Sequence, residues 1–598
     1  MTNKENDIHK RFFKPLRIYP MRTKLLNHGI SNVHTAALLL GAAGLLSRLL
    51  ALVRDRLLTA HFGIGRELDI YNAAFQIPDF MSVLFLLGAG TSAILPLFQE
   101  YAAADKEKAK RLIFDLLAVF LGGAFAVSGI IFLVAPLLMR IIVPGFSPAD
   151  QALTATLTRI MIFSPVLFGI SGILSSVAQS YERFIAYAIA PLLYNLGIIF
   201  GILVLAPWGG VVGLGVGVVL GAVLHMAMQL RATEDLGFTV RDFVRHISEA
   251  GRRGIGIFFT AGVRRVGRLS LPRVLAVSFS QLTFIALIAL GSRLVAGSIT
   301  VFSFAENLYF VPVGIFALGY TVALFPRLNG AYLARDGDTF FRELFAGIRS
   351  ILFWILPVSV LIIVLRAHVV RTALGAHSFT WTDTRLTAAS LAILAVALAA
   401  GSLVALFIKC FHTIEDTWRP LIISFVSSVV SLAVAVLTIR ALAEHTFFGR
   451  AVGETLRIAD LGHYEVVGLS FGFAAGLALN AFLLYVVLTN VARRKMPSRV
   501  RFPMRPLLGM IGASLVASVA AYGVRVSFSA SLPLLSLWSV VFQGACASLA
   551  GTVAYMGVLI ILRDENMLTL LRFAGRRGRV TGVLPPVPDD GLDTPETH

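Results

Sequence analysis

The sequence predicts an all-α polytopic membrane protein of about fourteen transmembrane helices, read as two six-helix sets followed by two more helices. Three observations support this class. Apolar stretches, each long enough to cross a bilayer, follow one another from Val33 to Arg563 with little soluble sequence between them. The 598-residue chain has a mean hydropathy of +0.81, is 57% hydrophobic and only 14% charged, too little polar surface for a soluble core of that length. Basic residues gather in alternate connectors, the pattern that orients spans across a membrane.

The head, residues 1–32, carries Lys4, Lys10, Arg11, Lys14, Arg17, Arg22 and Lys24. It is too long, and the following apolar run too complete a span, for a cleavable signal peptide. The first set, residues 33–230, places spans at 35–60, 70–99, 112–138, 153–179, 188–206 and 211–230. A basic connector, 231–268, contains Ile255-Gly256-Ile257-Phe258-Phe259, too short to span and expected as a helix in the interface. The second set, residues 269–491, places spans at 271–294, 300–324, 344–365, 386–410, 420–442 and 466–491. Segment 492–563 adds spans at 507–526 and 534–562. The tail, 564–598, with Pro585, Pro586, Pro588, Asp589 and Asp590, is expected to be disordered.

The formal charge of +19 does not signal nucleic acid, because of where it lies. Lys106, Lys108, Lys110 and Arg111 follow the second span, and Arg231, Arg241 and Arg245 follow the sixth. Arg493, Arg494 and Lys495 follow the twelfth, and Arg563 and Arg572 the last. Odd connectors are poor in charge or balanced, as between Arg440 and Glu465. The positive-inside rule then puts both termini in the cytoplasm of a multi-pass protein in the cytoplasmic (inner) membrane.

No arrangement for catalysis is encoded: the chain lacks a phosphate-cradling loop ending in GK[ST], an HExxH and a GxSxG elbow. The twelve histidines show no paired metal spacing. Cys410 and Cys546 are flanked by apolar sequence and read as small core residues. A transporter rather than an enzyme is expected, with no cofactor. The two sets suggest similar halves, a device by which transporters hold substrate between repeats. Pro78 and Pro312, each in the second span of its half, are a weak echo of such a repeat.

Charge inside spans is costly and usually faces a cavity or a partner. Arg48 lies at the middle of the first span, as far from either end as a residue can be. Arg54, Asp55 and Arg56 follow two turns later. Arg48 and Asp55, seven residues apart, share a helix face, while Arg54 points about 120° away. Asp69 opens the second span, and Glu306 and Asn307 lie early in the eighth. Arg54 and Arg56 also fit residues that reach an interface, with Asp55 as their ion-pair partner. The functional reading is a cationic cavity for an anionic headgroup, since the arginine fork grips phosphate oxygens bidentately.

Ser47-Arg48-Leu49 through Val53-Arg54-Asp55, then Phe62-Gly63, Asp69, Ile77-Pro78, Leu95-Pro96 and Glu100-Tyr101, form one dense run of motif residues. Pro144-Gly145-Phe146, Arg183-Phe184, Ala190-Pro191 to Asn195, Gly297-Ser298, Pro312 and Leu479-Asn480-Ala481 continue it. On these residues the chain resembles, from about 36 to 485, the MurJ (MviN) family of lipid II flippases. That family lies within the multidrug/oligosaccharidyl-lipid/polysaccharide exporter superfamily. The resemblance implies a transporter that turns lipid II from the cytoplasmic to the outer leaflet by alternating access. It implies two six-helix lobes around a central cationic cavity, with the last two helices lining a groove for the lipid tail.

Arg48, Arg54 and Asp69 fall on positions the family uses in that cavity. The family's second-span arginine falls on Ser82 and a nearby glutamate on Leu87. Its eighth-span arginine falls on Asn307, with Glu306 in place of an aspartate. Arg273 or Arg293 of the seventh span would substitute for the missing arginines, or anchor at an interface. The expected substrate-binding set is therefore Arg48, Arg54, Asp55, Asp69, Arg273, Glu306 and Asn307. Expected partners are the polyprenyl-pyrophosphate-linked glycan lipid, anionic lipids at the basic loops and cell-wall synthesis proteins, with no nucleic acid. The alternatives are a flippase for another polyprenyl-linked oligosaccharide, a drug antiporter of the same superfamily, or an envelope scaffold or enzyme that binds the lipid without moving it.

Overall fold

The computed structural model describes residues 33–88, 91–251, 260–529 and 536–575, and among the described residues every regular element is a helix. α1 (Val33–Phe62) is continuous even though Arg48, Arg54, Asp55 and Arg56 all lie within it. The second apolar run is broken into α2 (Arg66–Ala74), α3 (Gln76–Gly88) and α4 (Thr91–Ala104). Pro78 explains the first break. It has no N–H to offer the carbonyl of Ala74, and the Thr158 hydroxyl donates to that carbonyl instead, at 3.2 Å.

α5 (Lys106–Ile142) starts where the Asp105 carboxylate accepts from the N–H groups of Glu107 and Lys108. α6 (Pro148–Met161) starts at Ser147, with Pro148 in the first turn, and α7 (Phe163–Ser180) continues it. α8 (Phe184–Phe200), a π turn at Gly201–Leu205 and α9 (Ala206–Thr233) form one long apolar segment. That segment is a hairpin, broken at Gly210 (φ 55°, ψ −139°). Gly197 faces Gly221 and Gly201 faces Gly217, while Gly213 meets the Leu205 carbonyl. A Cβ on Gly197 would lie 2.2 Å from the Gly221 Cα, so this antiparallel seam admits only glycine.

α10 (Val240–Gly251) lies in the sixth connector, and α11 (Ala261–Gly291) follows. α12 (Ser298–Pro312) runs through a π turn, Val313–Ala317, into α13 (Leu318–Leu333). α14 (Gly337–Leu374) kinks at Leu365 (φ −103°, ψ 16°). α15 (Trp381–Val396) and α16 (Leu398–Thr413) meet at a bend of 49°. α17 (Trp418–Ala443), α18 (Phe447–Leu456) and α19 (Val467–Lys495) complete the C-terminal half. Gly468, Gly472 and Gly476 of α19 pack on Ile439, Ala435 and Ser431 of α17, a second antiparallel seam in the place corresponding to the first. α20 (Met504–Ser529) and α21 (Leu537–Ile561) pack on each other and on α14.

Among the described residues nine helical segments are long and apolar enough to cross a membrane, ten if the bent α15–α16 pair is one span. The α8–α9 hairpin counts as one of them. α1, the broken α2–α4 run and α11 fall outside the nine. The α2–α4 run is broken, the α8–α9 hairpin counts once, and α11 contributes only the shorter apolar helix Ser280–Gly291, so the described residues do not establish the expected fourteen spans.

Two expectations change. The tail is not wholly disordered: α22 (Glu565–Gly575) is held by an Arg349–Glu565 ion pair of 2.6 Å and by buried Met567. Cys546 is only partly buried, unlike Cys410. In the sixth connector α10 docks on α5. Phe238 meets the Phe114 ring edge-on and Phe243 meets it at a tilt, and His246 Nε2 meets Asp115 Oδ1 at 2.8 Å. The head 1–32, the stretch 255–259 and the tail beyond 575 lie outside the described residues.

Candidate functional site

α1 carries its charges on distinct faces, and each face finds a different partner. Arg48 Nη1 donates to the Phe310 carbonyl of α12 at 3.3 Å, and its guanidinium lies over Gly314 in the π turn. A Cβ on Gly314 would fall 1.9 Å from Arg48 Nη2, so glycine is what lets the arginine lie there. Asp55, on the same face, accepts from Asn307 Nδ2 of α12 at 3.4 Å. Arg54 points toward α8, where Nη1 donates to Asn195 Oδ1 at 3.3 Å. Its Nε and Nη2 turn back to Asp55 Oδ1 at 2.9 and 2.7 Å. The Arg54 side chain is 21% exposed and that of Asp55 5%. Asn195 also donates to Ser47 Oγ at 3.4 Å.

The resulting polar interior joins both halves of the chain. Arg54 interacts electrostatically with Asp79, Tyr71 and Tyr194, and Asp79 with Glu306. Asp79 and Asn307 are exposed and Glu306 half-exposed, although each sits on a helix packed against others. The structure therefore brings together Arg54, Asp55, Glu306 and Asn307 from the expected set, with Arg48 at its edge. Sequence reasoning missed Asp79 as a site residue, and gave Asn195 no role. Both are polar residues inside apolar spans, a signal applied to the first and eighth spans but not carried through the second and fifth.

Asp69 is placed elsewhere. It is 1% exposed and caps the start of α12 across the two halves: Gly297 N–H donates to Oδ2 at 2.6 Å, and the Thr300 N–H and hydroxyl donate to Oδ1, both at 2.8 Å. Both its oxygens are engaged there and it is buried, so it faces no cavity in this conformation. Further cross-half contacts gather at the same end. Gly145 N–H donates to Ser292 Oγ at 3.1 Å, Ser378 Oγ to the Ala60 carbonyl at 3.0 Å, and Thr59 Oγ1 to the Leu374 carbonyl at 2.7 Å. These residues all belong to odd-numbered connectors or the span ends beside them. Arg293 is exposed in this region, next to Gly145, and does not replace a cavity arginine. Arg273 lies on α11, but its side chain is outside the described set.

A cavity of about 680 Å³ lies beside this interior, between α1, α12, α14 and α21. Leu52, Val53, Leu308, Phe316, Ile362 and Val541 give it an apolar wall. Among the described residues no group of three or more His, Cys, Asp or Glu could hold a metal ion.

A bundle of membrane helices in two halves, closed together at one end over a polar interior, defines a polytopic transporter fold. It is similar to a solved structure described as "Lipid II flippase MurJ, inward closed conformation", with a TM-score of 0.64 at 20% identity, covering 88% of this chain and 100% of that one. An inward-facing multidrug-resistance MATE family transporter of the MOP superfamily gives a TM-score of 0.58 at 16% identity, covering 76% and 96%. The chain belongs to the lipid II flippase MurJ family, whose profile matches residues 58–543. A lipid II flippase MurJ of Burkholderia cenocepacia is 24% identical over 538 residues, 89% of this chain and 98% of that protein. A probable lipid II flippase MurJ of Bdellovibrio bacteriovorus is 25% identical over 551 residues, covering 90% and 96%.

Proposed function

We propose that this chain is a transporter that moves lipid II from the inner to the outer leaflet of the cytoplasmic membrane by alternating access. The observation that carries the reading is the Arg54–Asp55 pair, held between Asn195 of one half and Asn307 of the other. Opening and closing of the halves changes the partners of that pair, so ligand binding and conformation share the same groups. In this reading the odd connectors lie outside and both termini in the cytoplasm, as the basic even connectors require. The closed end is then the outer one, and the interior is reached from the cytoplasmic side. Arg48 and Arg54 receive the diphosphate, and Glu306, Asn307 and Asp79 meet sugar or peptide groups. The apolar cavity beside α1 and α12 holds the polyprenyl chain. Anionic lipids meet the basic loops, and cell-wall synthesis proteins are the partners that would consume the product.

A second reading, transport of another polyprenyl-linked oligosaccharide, is favoured by one observation. Asp55, Asp79 and Glu306 outnumber Arg48 and Arg54, so the interior is less cationic than the sequence led us to expect. Proteoliposome flipping with lipid II and a competing polyprenyl-linked glycan separates the two. Preferential flipping of lipid II supports the first reading, and selective flipping of the competitor overturns it. In cells, Arg48→Ala is expected to abolish rescue of a flippase-depleted strain at unchanged membrane abundance. Full growth with that variant removes Arg48 from the site.

A further inference from the structure

The apolar cavity is polar at one end, and that end is unexplained by a hydrocarbon chain. Arg56 and His368 both line it. Arg56 spends one donor, Nη1, on the Thr372 carbonyl at 2.8 Å and sits beside a second cation, Arg371. Arg371 donates to the Phe379 carbonyl at 2.9 Å. Neither arginine has a carboxylate within ion-pair distance among the described residues, so two neighbouring cations share no anion. His368 is 5% exposed, its Nε2 paired with Gln543 Oε1 at 3.2 Å. An amide oxygen can only accept, which assigns the proton to Nε2 and leaves Nδ1 a buried acceptor with no partner among the described residues.

An interfacial anchor accounts for Arg56 alone. It does not account for a second arginine beside it, or for an idle imidazole nitrogen in the same wall. The place in the fold matters as well. Arg56 lies two turns beyond Arg48 along α1, toward the odd connectors, and α14 reaches this level only after its kink at Leu365. Arg56 therefore stands at the outer end of a pocket whose other end adjoins the Arg48–Phe310 contact, with Arg371 behind it, next to the Thr372 carbonyl that Arg56 binds. A guanidinium pair with a nearby acceptor suits a phosphate monoester: its oxygens take the arginine donors and its hydroxyl, when protonated, gives Nδ1 a donor.

We propose that Arg56, Arg371 and His368 form a phosphate site at the outer end of the cavity, taking the monophosphate of an isoprenoid lipid whose chain fills the apolar body. It rests on the transport reading for its orientation and adds a station distinct from the Arg48–Arg54 interior. The isoprenoid source is chosen over a glycerophospholipid because the pocket has one cationic end and a single continuous apolar body beside α1.

The test uses the full chain in zwitterionic nanodiscs, with native mass spectrometry reading bound lipid. The probes are a polyprenyl monophosphate, the neutral polyprenol of equal length and phosphatidylglycerol. Expected is at least tenfold tighter binding of the phosphate than of the alcohol, with the preference lost in Arg56→Gln and in Arg371→Gln while alcohol binding persists. His368→Gln is expected to lower the preference several-fold. Equal binding of phosphate and alcohol, an intact preference in Arg56→Gln, or displacement by equimolar phosphatidylglycerol overturns the proposal. Headgroup flipping is measured in parallel. A chain that flips without the preference refutes this site alone, and one that shows the preference without flipping refutes the transport reading alone.

Discussion

Asp55 and Asp69 lie fourteen residues apart, are both buried at 3% and 1% exposure, and yet are held in opposite ways. Asp69 is gripped by two backbone N–H groups and a hydroxyl of one helix start, donors fixed in place by α12. Asp55 is held by side chains, Arg54 and Asn307, that can rotate away or be claimed by a ligand. The first arrangement locks one conformation; the second is exchangeable. A carboxylate inside a membrane bundle is thus defined less by its burial than by whether its partners can leave it.

The largest effect is expected from Asp69→Ala, which strips three hydrogen bonds and strands the Gly297 and Thr300 N–H groups. The cost to the closed form is on the order of 3 kcal/mol or more. Hydrogen exchange at these two amides should rise sharply; unchanged protection would show that the cap is not what closes this end. Next comes Arg54→Ala, which leaves Asp55 with Asn307 alone. Removing one partner of a buried pair costs about 3 kcal/mol, and flipping should be lost. If Arg54→Ala flips normally, the exchangeable pair is structural and the contrast with Asp69 fails.

Arg54→Lys sharpens the same point at smaller scale. A point charge keeps attraction to Asp55 but cannot span Asp55 and Asn195 with a planar fork. A fall in flipping of about tenfold at unchanged thermal stability is expected, and a wild-type rate would make geometry irrelevant. The smallest effect belongs to Gly314→Ala, whose methyl would displace the flexible end of Arg48 and leave the helix intact. Transport should drop several-fold. Combined with Arg48→Ala it should add nothing, because residues that act through one contact are not additive.

Much of this was legible from residues alone. The spacing of Arg48, Asp55 and Arg54 placed the first two on one helix face and the third on another, and their partners on α12 and α8 follow that geometry. Period and charge also located the helices, because a membrane demands long apolar runs. Asp69 was not legible, since the same charge that lines a cavity also caps a helix. The distinction depends on Gly297 and Thr300, more than two hundred residues away in the chain. Asp79 was hidden by the motif around Pro78, whose backbone consequence is visible in sequence but whose neighbour's direction is not. The order in residues 565–575 depends on Arg349, which composition cannot reveal.

The glycine seam between α8 and α9 has a mechanical meaning. Backbones touching at Gly197–Gly221 and Gly201–Gly217 leave no slack for one helix to slide along the other, so the hairpin travels as a single plate. Asn195 rides on that plate, and α1 packs against α8. In the alternating-access reading proposed above, Arg54, Asp55 and Asn195 would depart in company while Asn307 stayed behind with α12. The 3.4 Å Asp55–Asn307 contact is then broken together with the far tighter Asp69 cap, so the stroke has to release a side-chain bond and a backbone bond at once.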